Sequence, residues 1–208
     1  MGSRIFWTLP VLKIILVGMP GAGKTTIGRQ LARRLGMPFV DSDHCIEERL
    51  GCTIRQYFEH CGEDAFRDAE ERALDDLTAD AADGVLSTGG GAVLRPANRA
   101  RLHARGQVIY LHATPEDLHR RLRHDTSRPL LQVEDPLGRL RGLFQTRDPL
   151  YREAAHFVIE TGRPSVATLV NMILMQLELA GHSPARPGPS SMTPPPPSSP
   201  AAAGADPG

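Results

Sequence analysis

Gly18-Met19-Pro20-Gly21-Ala22-Gly23-Lys24-Thr25 is a complete G-x-x-x-x-G-K-[ST] string. An apolar, β-branched run, Val11 to Val17, leads into it, and an amphipathic stretch, Thr26 to Leu35, follows. Strand, glycine loop and helix in that order is the setting in which the pattern builds a phosphate-binding loop. Glycines let the backbone curl so that several N–H groups face one anion, and the helix N-terminus adds a favourable dipole. Lys24 then reaches the β- and γ-phosphates, and the Thr25 hydroxyl is placed to ligate Mg²⁺. A chance glycine turn containing lysine is a poor competitor, because Lys13 is the only other lysine in the chain. The string predicts a nucleoside triphosphate site.

Outside the loop, composition sets bounds. At 208 residues the chain suits one domain with a core large enough to fold unaided. Its 24 basic and 24 acidic residues balance, which argues against nucleic acid or an anionic membrane as partner. Cys45, Cys52 and Cys61 are odd in number and lack C-x-x-C spacing. They read as reduced thiols of a cytoplasmic protein, with neither a disulfide framework nor a zinc site. Residues 1–10 are partly apolar but run straight into the first strand without a cleavage pattern, so they read as a leader with no catalytic role. No stretch approaches the length needed to span a bilayer. From Gly181 onward the composition changes: nine of the 18 prolines fall in the last 28 residues, beside Ala, Gly and Ser. Such a segment cannot bury a core, which predicts a domain over 11–180 and a disordered tail over 181–208.

Downstream of the loop, Phe39-Val40-Asp41 reads as a short strand ending in Asp41-Ser42-Asp43. Two carboxylates one residue apart can divide their duties, one facing Mg²⁺ and the other facing whatever lies beyond the γ-phosphate. The competing use is a helix N-cap, for which Ser42 or Asp43 would serve. A helical region follows from Thr53 to Ala82, broken at Gly62, with Arg67 and Glu70 on one face; a surface ion pair is the plain alternative there. Val85 to Thr88 reads as a buried strand running into Gly89-Gly90-Gly91, a run that suggests close backbone approach to something.

Next come a helix from Pro96 to Arg105, a strand from Gln107 to His112, and a helix opened by Thr114 and Pro115. An Arg-bearing polar loop, about 123–136, suits a lid over nucleotide. The following helix is expected over Leu137 to Thr146, then a last strand, Phe157 to Glu160, and a helix, Ser165 to Ala180. Five strands alternating with helices predict an α/β fold, a five-stranded parallel sheet with helices on both faces.

Taken in order, Gly18 to Gly28, Asp41-Ser42-Asp43, Phe66-Arg67-x-x-Glu70, Gly89-Gly90-Gly91-Ala92-Val93, Arg128-Pro129-Leu130-Leu131 and Arg147-x-x-x-Tyr151 resemble shikimate kinase. The resemblance covers roughly Leu12 to Leu179. It implies a P-loop, nucleoside-monophosphate-kinase-like fold with strand order 2-3-1-4-5. It also implies ATP-dependent phosphorylation of the shikimate 3-hydroxyl, a step of chorismate and aromatic amino-acid biosynthesis, in a cytoplasmic enzyme expected to be a monomer.

Residue by residue, the resemblance implies that Gly21, Ala22, Gly23, Lys24, Thr25 and Thr26 hold ATP, with Thr25 and Asp41 on Mg²⁺. Asp43, Arg67, Gly89, Gly90, Gly91 and Arg147 match the shikimate site. Lys24, Asp43 and Arg128 carry the catalytic roles, Arg128 as the lid arginine on the phosphates. Arg121 is carried over to a place above the adenine, and Arg163 more loosely to the nucleotide. The chemistry agrees, since two arginines can fork a small carboxylate where lysine cannot, and an aspartate can accept from ring hydroxyls. Two alternatives remain at this stage: another small-molecule P-loop kinase such as a gluconate kinase, or a nucleotide-binding module that has lost catalysis.

Overall fold

β1 (Lys13–Val17) is buried along its whole length, and the fold is laid out on either side of it. Residues 12–79, 82–123 and 133–182 are described by this computed structural model. The leader, most of the expected lid (including Arg128) and nearly all of the tail lie outside the described residues. In chain order the elements after β1 are α1 (Lys24–Leu35), β2 (Phe39–Asp41), α2 (Ser42–Leu50), α3 (Ile54–Ala79), β3 (Gly84–Ser87) and α4 (Pro96–Arg105). They continue with β4 (Gln107–His112), α5 (Pro115–Leu122), α6 (Pro136–Ala154), β5 (Phe157–Glu160) and α7 (Val166–Leu179).

The strands form one sheet in the order β2-β3-β1-β4-β5, every pair parallel. Burial on both faces explains why β1, β3 and β4 read as near-continuous apolar runs instead of alternating ones. Ile14, Ile15, Leu16 and Val17 are fully buried, as are Ile109, Tyr110 and Leu111 of β4. Helix α1 packs beside α7, while α4 packs against both α3 and α6. Inside α1, Gly28 has no room for a side chain, since a Cβ there would lie 2.6 Å from the Phe39 ring and 3.0 Å from Leu16. That close approach seats the phosphate-loop helix on the sheet.

One long helix departs from expectation, and another keeps its expected break. The helix expected to stop at Thr146 runs unbroken through Pro149 to Ala154. Proline withholds one backbone donor, but Tyr151 and Ala154 on the following turn are fully buried, and their packing carries the helix past it. In α3 the break does fall at Gly62, whose φ of 81° and ψ of 173° interrupt the helix without ending it. The residues after the kink then carry Phe66, Arg67 and Glu70 toward the carboxyl ends of the strands. In open parallel sheets that is where ligands bind.

Candidate active site

The loop between β1 and α1 is built on left-handed glycines: φ is 147° at Gly18, 84° at Gly21 and 94° at Gly23. A Cβ at Gly18 would sit 2.7 Å from the Leu111 carbonyl oxygen. The loop closes on itself through the Ala22 N–H, which donates to the Met19 carbonyl at 3.1 Å, and Ala22 packs into the core beneath it. Lys24 is buried, and its Nζ donates to the Gly18 and Met19 carbonyls at 2.7 and 3.1 Å. The ammonium therefore lies along the rim of the anion cradle. At the second position of α1, the Thr25 hydroxyl donates to Asp41 Oδ2 at 2.9 Å.

This pair suits Mg²⁺. Both are hard oxygen donors, and adjacent ligands of an octahedral ion with bonds of ~2.1 Å stand ~3 Å apart. Among the described residues no group of three or more His, Cys, Asp or Glu could hold a metal. An ion at Thr25 and Asp41 would thus complete its shell with phosphate and water, as Mg²⁺ does.

Asp41 has a second task. Its Oδ1 accepts from the Asp43 N–H at 3.2 Å, so Asp41 is the N-cap of α2, in place of Ser42 or Asp43. The N-cap expected at Ser42 or Asp43 thus falls on Asp41, whose other oxygen accepts from Thr25. The buried Ser42 hydroxyl accepts from the Gly89 N–H at 3.0 Å, tying α2 to the glycine run. Asp43 is free of the capping role and faces the cleft. Burial pushes its carboxyl up to about 6; Lys24 opposes this, and Asp41, Glu70 and Glu47 add to it. At neutral pH it is an ionised acceptor that holds a proton more readily than an ordinary aspartate.

The three glycines after β3 have three separate reasons. A Cβ at Gly89 would collide with the Asp43 carboxylate, one at Gly90 would lie 2.8 Å from the Pro20 ring, and one at Gly91 would overlap the Arg67 guanidinium. None of the three has a positive φ, so space and not backbone strain requires glycine here. The run approaches Pro20 of the phosphate loop, Asp43 and Arg67 at once.

Arg67 is nearly enclosed. Its guanidinium lies 5.1 and 5.8 Å from the centroids of the Phe66 and Phe58 rings, and its Nη1 donates to Glu70 at 2.5 Å. Glu70 is 1% exposed, so this is a buried ion pair and not the surface pair that helical spacing alone allows. Burial raises the Glu70 carboxyl, while the Arg67 charge and hydrogen bond pull it back toward the ionised form. Across the cleft, Arg147 of α6 donates through Nη1 to the Gly90 carbonyl at 3.1 Å. The Tyr151 hydroxyl, one turn on, donates to the same oxygen at 2.6 Å. Burial holds Tyr151 well above the usual phenol range, so it stays a donor.

The cleft at their centre has a volume of about 950 Å³. It brings together Gly21, Gly23, Lys24, Thr25, Thr26, Asp41, Asp43, Arg67, Gly89, Gly90, Gly91, Arg121 and Arg147. Ala22 lies beneath the loop. Arg163 is exposed and stands off the cleft lining. Arg121 is on the rim, where its guanidinium donates to the Thr161 carbonyl and, at 3.3 Å, to the Thr161 hydroxyl. Sequence reasoning passed over the wall formed by Ile54, Phe58 and Glu63 of α3 and by Arg139 and Leu143 of α6. The i, i+4 spacings Ile54–Phe58, Glu63–Arg67 and Arg139–Leu143–Arg147 were the available signal.

A phosphate loop with its lysine and hydroxyl, at the carboxyl end of a 2-3-1-4-5 parallel sheet and facing an arginine-lined pocket, defines a P-loop phosphotransferase of small molecules. The shikimate kinase family model matches residues 20–178. A shikimate kinase of Paracidovorax citrulli (strain AAC00-1) is 59% identical over 180 residues, 86% of this chain and 98% of that protein. The solved shikimate kinase of Acinetobacter baumannii, in complex with shikimate, is 48% identical with a TM-score of 0.76, over 82% of this chain and 94% of its own. A gluconokinase from Sinorhizobium meliloti 1021 is 20% identical with a TM-score of 0.55, over 82% of this chain and 93% of its own; that likeness shows the fold alone. The chain belongs to the shikimate kinase family.

Proposed function

We propose that the protein transfers the γ-phosphoryl group of ATP to the 3-hydroxyl of shikimate, giving shikimate 3-phosphate and ADP. The observation that carries this reading is the meeting of Lys24, Asp43, Arg67 and Arg147 on one cleft. Shikimate is a ring with one carboxylate and three hydroxyls. Arg67 and Arg147 offer planar guanidinium groups for the carboxylate, and Asp43 accepts from the ring hydroxyls. As the 3-oxygen bonds to the γ-phosphorus, the bond from phosphorus to the β,γ-bridging oxygen breaks, and the hydroxyl proton passes to Asp43. A strong base is not needed, because this chemistry rests on positioning and charge stabilisation.

Lys24 and the loop N–H groups stabilise the charge on the transferring group. Thr25 and Asp41 would hold Mg²⁺, which supplies further charge neutralisation when bound. Arg121 borders the nucleotide end of the cleft beside Leu122. Arg128 on the expected lid would reach the phosphates from above. No helix among the described residues is long and apolar enough to cross a membrane, and we take the protein to act as a cytoplasmic monomer on a small-molecule substrate.

An ADP-release assay comparing shikimate with gluconate tests the reading. Turnover with shikimate and ATP, and none with gluconate, is expected. Preference for gluconate would move the protein to the other small-molecule kinases. Release of ADP with neither would point to a nucleotide-binding module.

A further inference from the structure

The Arg67 guanidinium has two edges, and two different carboxylates hold them. Nη1 is bound by Glu70, whose side chain is 2% exposed. Nε and Nη2 together make the two-donor edge suited to forking a carboxylate. Both donate to a single oxygen, Glu63 Oε1, at 3.3 and 3.1 Å. Glu63 is unlike Glu70 in its setting: its side chain is 61% exposed, it borders the cleft, and it follows directly on the kinked Gly62. Nothing lies within 4 Å of where a Gly62 Cβ would be, so no packing clamps the kink.

We propose that Glu63 is an internal surrogate for the substrate's carboxylate. It covers the forked edge of Arg67 until a ligand carboxylate replaces it, and it thereby sets how tightly the enzyme holds both substrate and product. The proposal rests on Arg67 belonging to the acid pocket. Three features make Glu63 the exchangeable partner. It satisfies two donors with one oxygen, whereas a ligand carboxylate can give each donor its own. Its exposure lets water resolvate it at once on release, so little opposes the exchange. Glu70 cannot trade places, because its departure would strand a buried charge. The phosphorylated product keeps the same carboxylate, so Glu63 competes with product as it does with substrate.

The test uses the full chain and titrates shikimate by calorimetry without nucleotide, in Glu63→Ala, Glu63→Gln and Arg67→Ala. Glu63 is exposed, and an unchanged melting temperature checks that its variants fold. Shikimate should bind roughly two- to fivefold tighter to Glu63→Ala, the scale of losing one exposed ion-pair competitor. Glu63→Gln should shift the same way by less, and product inhibition should strengthen in parallel. In an Arg67→Ala background, Glu63→Ala should have no further effect. Unchanged or weaker shikimate binding to Glu63→Ala, with binding lost in Arg67→Ala, overturns the proposal and makes Glu63 a bystander or a support. Unaltered shikimate binding to Arg67→Ala is a different failure, which removes Arg67 from the acid pocket and the proposal with it.

Discussion

Tyr151 donates its phenolic hydrogen to the Gly90 carbonyl at 2.6 Å, from the interior of α6 to the floor of the cleft. The Gly90 peptide plane, on the cleft lining, is therefore oriented from behind, by a buried side chain that does not line the pocket. Tyr151→Phe removes this one bond and leaves the ring's packing intact. Arg147 still donates to the same oxygen, so the stability loss should stay near 1 kcal/mol. Shikimate KM should rise several-fold with ATP KM unchanged. A Tyr151→Phe enzyme with wild-type shikimate KM would mean that Arg147 alone orients Gly90.

Among the described residues, Arg147 makes no surface ion pair. The carboxylates nearest in sequence are engaged elsewhere: Asp148 with Arg152 at 2.8 Å and Tyr110 at 2.9 Å, and Glu153 with Arg99 at 2.9 Å. Arg147→Lys should raise shikimate KM by roughly tenfold, because an ammonium lacks the planar pair of donors. Arg147→Ala should be worse. ATP affinity measured without shikimate should hold in both variants, and its loss would move Arg147 to the nucleotide side.

Gly91→Ala tests the space argument. Its backbone is not left-handed, so the variant should fold, but the new methyl and the Arg67 guanidinium cannot share one volume. Arg67 must move, and shikimate KM should rise by an order of magnitude or more while thermal stability falls little. Wild-type kinetics in Gly91→Ala would mean that the pocket yields more easily than the packing suggests.

Lys24→Met should fold and lose activity by orders of magnitude, since a charge partner of the transferring phosphoryl disappears. The lost bonds to Gly18 and Met19 also loosen the loop. ADP release near the wild-type rate would exclude Lys24 from the chemistry.

One group remote from the cleft should cost stability as solution turns mildly acidic. His156 stacks on His103 at 4.0 Å between centroids, and its Nδ1 accepts from the Val108 N–H at 3.0 Å. Burial, with His103 and His182 adding, lowers its pKa below the ordinary 6.5. The folded state thus prefers neutral His156. Its contribution is whole above pH 6.5 and drains away as pH falls through the depressed value. Asp43, whose carboxyl is raised to about 6, works in the opposite sense over the same range, so the test is a difference: between pH 7.5 and 5.5, His156→Asn, which keeps an acceptor that does not titrate, should lose less melting temperature than the wild type. An equal slope in the variant would place the acid sensitivity elsewhere.

The phosphate loop and the alternation of strands and helices were legible because each rests on local chemistry: a spacing, a turn residue or a buried run; most other cleft residues, Arg147 and Arg121 among them, were named only through the resemblance to shikimate kinase. What sequence did not disclose was which partner each feature would meet. Gly89-Gly90-Gly91 announced a close approach, but the approaching groups, Asp43, Pro20 and Arg67, come from elsewhere in the chain. The N-cap of α2 falls on Asp41 because the bend after β2 sets the register, and Ser42 and Asp43 have equal intrinsic fitness for the role. The helix runs past its expected end at Thr146 because Tyr151, beyond Pro149, is buried, which is a tertiary fact. Glu63 was invisible for a similar reason: an exposed helical glutamate near an arginine is commonplace until the arginine is found lining a cleft.

The glycine floor bears on how this enzyme would respond to inhibitors. A compound resting on the Gly89–Gly91 backbone would touch a surface that point mutation cannot easily reshape. Any side chain added there to repel it would first strike Asp43, Pro20 or Arg67, groups of the phosphate loop and acid pocket. Escape would have to come from the α3 and α6 walls, from Phe58, Glu63, Arg139 or Leu143, where a side chain can change without colliding with those groups.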